Sequence, residues 1–154
     1  MPIKSFRGLI ADGAIEIINL HTNTGAIGYK IVNFQIMGNT PGNASTGSYE
    51  HLLKIYSVPQ TTATGIVDFS DQTLLAAGLN FAQTSPQFDG NKVIIFDNVT
   101  FNQDIYITHV DVDSARPANY HIELEQVKLD LNQNTVATLK DIRNIKAQWV
   151  NNII

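Results

Sequence analysis

Residues 120–131, which read Tyr-His-Ile-Glu-Leu-Glu-Gln-Val-Lys-Leu-Asp-Leu, are the most strongly patterned stretch of the chain. Two apolar triplets alternate with polar residues but are out of step by one position: Tyr120, Ile122 and Leu124, then Val127, Leu129 and Leu131. Because side chains alternate faces along a strand, one extra residue near Glu125 and Gln126 would bring both triplets into one core. The pattern therefore predicts a long, bent β-strand with a β-bulge, polar on its other face.

Length and charge limit the possible classes of protein. The 154 residues suit one domain that is large enough to bury a real core. Only 16% of the residues are charged, below the roughly 25% of an average domain. Asn, Gln, Thr and Ser make up the deficit, a composition that favours β-surfaces packed against other subunits. The net charge of −4 argues against nucleic-acid binding.

The chain contains no cysteine, which excludes disulfides, thiol nucleophiles and cysteine-based zinc sites. Asp12 and Glu16 interrupt the apolar residues behind the N-terminus, so no signal peptide is predicted. No stretch approaches about 20 consecutive apolar residues, the length that a membrane-spanning helix needs. We therefore expect the protein to fold in a cytoplasm and to have no membrane partner.

Several other stretches of alternating or apolar residues predict short strands. They are residues 14–20, 29–37, 50–58, 66–69, 92–96 and 105–112. Gly, Asn and Pro turns separate them, and residues 38–48 form a long loop. Residues 72–77 fit a short helical turn, capped by Ser70 or Asp71. Together with residues 120–131, the pattern predicts a mainly β protein with a single antiparallel, jelly-roll-like β-sandwich.

The character of the chain changes after this sandwich domain, which is predicted to span residues 1–132. The segment 133–154 has apolar residues at three-residue steps: Val136, Leu139, Ile142 and Ile145. This spacing predicts a C-terminal helix over roughly residues 135–148.

The tail behind that helix, residues 149–154, is apolar and carries the only tryptophan of the chain. Free chain ends are usually polar, so an apolar end is expected to dock onto something. The tail docks either on its own domain or on a neighbouring subunit. Four of its residues are therefore candidate interface residues: Trp149, Val150, Ile153 and Ile154.

One set of residues resembles a chemical site. Alternate positions on two predicted strands carry histidines and carboxylates: His109, Asp111 and Asp113 on one, and His121, Glu123 and Glu125 on the other. In a hairpin of these strands the six side chains would share one surface, where a divalent cation would find oxygen ligands. A polar, water-facing sheet surface explains the same pattern better. We therefore predict no metal-binding residue.

No other motif points to catalysis. The four histidines are scattered, no serine lies in a nucleophile-elbow pattern, and the glycines form no phosphate-binding fingerprint. The tyrosines fall on or beside predicted strands, where aromatic residues usually pack; a platform for sugar stacking is the other interpretation. We therefore predict a protein that is not an enzyme, with no catalytic or cofactor-binding residues and no cofactor.

A family resemblance extends over most of the chain. Its longest segments are residues 101–109, 119–131 and 135–144, and shorter ones are residues 4–8 and 28–31. Together they resemble a group of small virion structural proteins of marine and cyanobacterial tailed bacteriophages. The resemblance implies a multi-copy component of the phage head or tail, made and assembled in the host cytoplasm and located in the virion. It implies no functional residues.

The leading hypothesis is a capsid decoration or cement protein that binds across adjacent capsid subunits. Its partners would be further copies of itself, for example in a trimer, and other virion proteins such as the major capsid protein. A tail or fibre-attachment component is a second structural hypothesis. A lectin-like module for host surfaces would use exposed Tyr or Trp side chains. A metal-dependent hydrolase would need His109, Asp111 and Glu123 to converge.

Overall fold

The computed structural model describes residues 2–42, 47–84, 87–96, 99–130, 132–133, 135–140 and 142. Within these residues the chain forms eight β-strands: β1 (Ile3–Ile10), β2 (Ile15–Ile18), β3 (Ile27–Gly38), β4 (Tyr49–Tyr56), β5 (Leu74–Thr84), β6 (Gln87–Ile95), β7 (Ile105–Asp111) and β8 (Ala118–Lys128). A short C-terminal helix follows at residues 132–133, 135–140 and 142. None of the described helical residues belongs to a helix that is long and apolar enough to cross a membrane.

The strands form two antiparallel sheets, so the predicted class, mainly β with a C-terminal helix, is confirmed. The strand order is β1-β8-β3 in the three-stranded sheet and β2-β7-β4-β5-β6 in the five-stranded sheet. The stretch that dominates the sequence, β8, is the central strand of the smaller sheet, where both of its edges are paired.

One hydrophobic cluster of the described residues joins the two sheets. Its members come from both of them, for example Phe34, Ile122 and Leu124 from the three-stranded sheet, and Leu53, Ile55 and Ile107 from the five-stranded sheet. The sheets approach closely at Gly78, where a Cβ atom would collide with Cδ1 of Ile36. The faces that these side chains occupy are the inner faces of the sheets.

The bulge that the sequence predicts in β8 is not there. The pairing of β8 with β1 runs in unbroken register from Ala118 to Glu125. In the pairing of β8 with β3, the irregularity lies in β3, where Val32 is the extra residue between Ile31 and Asn33. The side chains of β8 therefore keep alternating between the inner and outer faces of the sheet.

The described members of the two apolar triplets consequently lie on opposite faces, and the prediction of one shared interior is wrong; Leu131 lies outside the described residues. Ile122 and Leu124 belong to the core cluster, whereas Val127 pairs with Gly28 on the outer face. Leu129 lies over the same glycine, since a Cβ on Gly28 would be 3.1 Å from Cδ2 of Leu129. Leu129 is still buried, because the C-terminal helix covers this end of the outer face and leaves a cleft of about 540 Å³.

Two local predictions between β4 and β6 are also wrong. Residues 66–69 are not a strand but part of the connection from β4 to β5. Residues 74–77 begin β5 instead of forming a helical turn. Strand β5 pairs with β4 on one side and β6 on the other, so tertiary pairing overrides a local sequence that suits a helix.

Candidate functional site

The histidines and carboxylates of the suggested metal surface do not meet. The hairpin that such a surface would need is absent, because β7 lies in the five-stranded sheet and β8 in the three-stranded sheet. His109 and Asp111 are buried in the interior, whereas Glu123 lies on the outer face of the other sheet, paired with Ser5 and Asn33. The described residues contain no group of three or more side chains arranged to hold a metal ion. The constellation that a hydrolase would need is therefore not assembled.

A different polar cluster, which the sequence pattern reveals only in part, lies inside the domain. Strand pairing places His51 of β4 opposite Asp111 of β7, and His109 opposite Leu53. Nδ1 of His51 is 3.0 Å from Nε2 of His109 and 3.7 Å from Oδ2 of Asp111. The three residues are at most 4% exposed. We call His51, His109 and Asp111 the histidine cluster.

The loop after β7 wraps around the side chain of Asp111. Four backbone N–H groups donate hydrogen bonds to its carboxylate at 3.0–3.3 Å: those of Glu50, Asp113, Ser114 and Arg116. The hydroxyl of Ser114 donates a further one. Burial on its own raises the pKa of Asp111, but these hydrogen bonds outweigh burial and lower the pKa to about 2. Asp111 is therefore an ionised anchor for the connection between β7 and β8.

The two histidines share one hydrogen bond, so one ring donates and the other accepts. Donation from Nδ1 of His51 is the favourable arrangement, because the same proton then faces the carboxylate of Asp111. Nδ1 of His109 has no hydrogen-bond partner among the described residues. Burial lowers the pKa of His51, and the nearby carboxylate only partly offsets this effect. The interior therefore favours the neutral form of His51.

Acid should destabilise the fold through His51. Because its pKa is lowered in the folded state, the unfolded chain binds the proton more tightly. The stabilisation is therefore complete above the ordinary pKa of 6.5 and is lost as the pH falls below it. We expect urea titrations to show a falling free energy of unfolding from about pH 7.5 to about pH 5. The His51→Gln variant should flatten this slope; a wild-type profile that is flat or rises on acidification would contradict the assignment.

A second buried charge lies on the opposite face of β4. Lys54 is 1% exposed, and its Nζ donates to Oγ1 of Thr64 at 3.1 Å and to the carbonyl of Ile66 at 2.6 Å. The ammonium also lies 5.5 Å from the centre of the Tyr56 ring. Burial lowers the pKa of Lys54. Because these contacts occupy its donors, Lys54 holds the loop of residues 57–73 against the sheet.

The apolar face of the C-terminal helix is exposed. Val136, Leu139 and Ile142 are 66%, 57% and 54% exposed, and we call them the helix stripe. The helix itself is held to the domain, because Nδ2 of the buried Asn102 donates to Oγ1 of Thr138 at 2.8 Å. The helix stripe is therefore an apolar surface on a fixed support.

The predicted interface of the tail lies outside the residues that the structure describes. Four candidate residues lie outside the described residues: Trp149, Val150, Ile153 and Ile154. Their docking, whether on their own domain or on a neighbouring subunit, stays a prediction.

Most of the tyrosines do not form a platform for sugar stacking. Tyr29, Tyr56 and Tyr120 are buried, and the hydroxyl of Tyr120 donates to Oε2 of Glu16 at 2.7 Å. This hydrogen bond joins the two sheets, because Glu16 belongs to β2. The buried tyrosines thus serve packing, and a lectin-like module cannot rest on them.

Comparisons with known proteins assign neither a family nor a function to this chain. The resemblance to small virion proteins of tailed bacteriophages accordingly stays a prediction. No protein-family model matches the chain, and no curated protein or solved structure is significantly similar to it.

Proposed function

We propose that this protein is a non-enzymatic, multi-copy virion structural protein, and that it serves as a capsid decoration or cement protein that binds across adjacent capsid subunits. The helix stripe is the observation that carries the proposal. Its three large apolar side chains are more than half exposed. In water such a surface is unfavourable, and contact with another protein surface would remove it from solvent. In the sequence, the same three-residue spacing continues to Ile145.

The internal polar groups support a structural role. The histidine cluster is buried, and the carboxylate of Asp111 accepts hydrogen bonds from the loop that it anchors. Lys54 likewise holds a loop. These groups stabilise the architecture in a chain that has no cysteine for disulfides.

We further propose that the two sheets form a jelly-roll sandwich. A jelly roll results when an antiparallel ribbon that pairs β1 with β8, β2 with β7, β3 with β6, and β4 with β5 wraps into two facing sheets. Three of these pairs occur here, β1–β8, β2–β7 and β4–β5, as do the pairs β8–β3 and β7–β4 that wrapping produces. Strand β6 departs from the pattern by pairing with β5, although it still contacts β3. Jelly rolls are common in viral capsid domains, which agrees with the proposed role.

Quantitative mass spectrometry of purified particles tests the proposal. The particles are those assembled from the genome that encodes this chain. A decoration protein should be present in many copies, in a fixed ratio to the major capsid protein, because it occupies repeated sites on the shell. Absence from the particles would contradict the proposal. A copy number equal to that of one tail ring would favour the tail or fibre-attachment alternative.

A further inference from the structure

The outer face of the three-stranded sheet carries a concave cleft that the proposed function does not use. Its volume is about 790 Å³, within the range of roughly 300–1,000 Å³ that is typical of small-ligand sites. A row of polar side chains crosses its floor, because Arg7 of β1 pairs with His121 of β8, and His121 pairs with Gln35 of β3. We call this surface the sheet cleft.

A second row of the sheet cleft combines apolar and polar groups. Leu9 pairs with Asn119, and Asn119 pairs with Met37. Leu9 and Met37 are 52% and 58% exposed, so they present aliphatic surface on both sides of the amide. Nδ2 of Asn119 donates to the carbonyl of Gly38 at 3.4 Å, which orients that amide. Asn91 of β6 also lines the cleft.

The chemistry of these groups indicates the class of ligand. Three lining residues, Gln35, Asn91 and Asn119, are amides, and each amide offers both donors and acceptors. Arg7 adds donors, and a neutral His121 ring has one donor and one acceptor. Among the described residues, no hydrogen bond or ion pair occupies the side chains of Arg7, Gln35, Asn91 or His121. A simple anion would use only the donors, whereas sugar hydroxyls match both kinds of group.

We propose that the sheet cleft binds a saccharide. The side chains of Arg7, Gln35 and the two asparagines hydrogen-bond to its hydroxyl groups, while Leu9 and Met37 pack against the C–H face of a sugar ring. The polar row spans two strand spacings, roughly 10 Å, which is wide enough for more than one ring. The backbone of this floor is already paired within the sheet, so only side chains contact the ligand. A peptide, which gains affinity from backbone pairing, would instead use a free strand edge such as that of β1.

Titrations followed by NMR test the proposal with four disaccharide probes: maltose, cellobiose, lactose and mannobiose. With at least one probe we expect saturable shifts of the side-chain amide signals of Gln35, Asn91 and Asn119. The Gln35→Ala and Arg7→Ala variants should each weaken this binding by about tenfold or more, because hydrogen bonds to the sugar are lost. Both positions are exposed, so the variants should keep the wild-type circular dichroism spectrum. Gln83→Ala, which removes an exposed glutamine of β5 outside the cleft, is the matched control and should bind as wild type does.

Three outcomes would overturn the proposal. The first is the absence of any shift with all four probes. The second is binding that persists unchanged in both variants, because the sugar would then bind elsewhere. The third concerns a fifth probe, a hexaglutamate peptide. If only this peptide shifts signals, and the shifts are at the backbone amides of β1, the surface is a peptide site at the strand edge.

Discussion

The Asp111→Ala variant is expected to lose about 3–5 kcal/mol of unfolding free energy, because several donors lose their acceptor at about 1–3 kcal/mol for each one that is left buried. The side chain of Asp111 is fully buried, and its carboxylate accepts hydrogen bonds from four backbone N–H groups and the Ser114 hydroxyl. Its removal leaves these five donors without their acceptor. Urea unfolding of the variant and the wild type at neutral pH measures the loss.

Two further variants show whether this loss arises from the carboxylate. Asp113→Ala removes an exposed carboxylate from the same loop and should change stability by no more than about 0.5 kcal/mol. The loss of stability in Asp111→Asn should lie between those of Asp111→Ala and Asp113→Ala. Its amide oxygen still accepts hydrogen bonds, while its NH₂ group lacks an acceptor. A loss below about 1 kcal/mol for Asp111→Ala would show that the loop does not depend on this anchor.

The strands that the sequence predicts well are those with one apolar and one polar face. Strand β3 is predicted at residues 29–37 and extends from Ile27 to Gly38. Strand β5 is missed because its first residues, Leu-Leu-Ala-Ala, are all buried and therefore show no alternation. A continuous apolar run of this length fits a buried strand and a helix equally well, and only its pairing with β4 and β6 decides.

The shift of the apolar alternation by one position within residues 120–131 shows a second reason why a sequence pattern can mislead. The alternation identifies the strand correctly, but it cannot tell which face another element will cover. Here the C-terminal helix covers this end of the outer face. Val127 and Leu129 therefore pack beneath the helix, and no bulge is needed. The actual bulge lies in β3, where Val32 is 44% exposed while Phe34 and Ile36 are buried. The alternation alone would have placed all three on one face.

The histidine cluster was only half predictable. Parity correctly places His109 and Asp111 on one face of β7. That face is buried because Ile105 and Ile107 share it, and these two isoleucines are the signal in the sequence that could have indicated an interior position. The third member, His51, comes from β4, and its partnership depends on the pairing of two strands that are far apart in the chain. No local pattern contains that register.

Self-association through the helix stripe is expected to dominate the behaviour of the protein in solution. Apolar side chains at three-residue steps on one helix face are suited to pack against the same face of another copy. Leu139→Lys should abolish this association, because the contact would then bury an unpaired charge. Lys140→Ala changes the adjacent exposed residue and is the matched control. It should associate as the wild type does.

Light scattering of the intact chain over a range of concentrations is the most direct test that the helix stripe is an interface. We expect a molar mass that is a multiple of the 17.0 kDa of one chain, such as that of a trimer, and a monomer mass for Leu139→Lys. A wild-type mass of 17.0 kDa at every concentration, or a multiple of it that Leu139→Lys leaves unchanged, would show that the helix stripe is not an interface between copies of the chain.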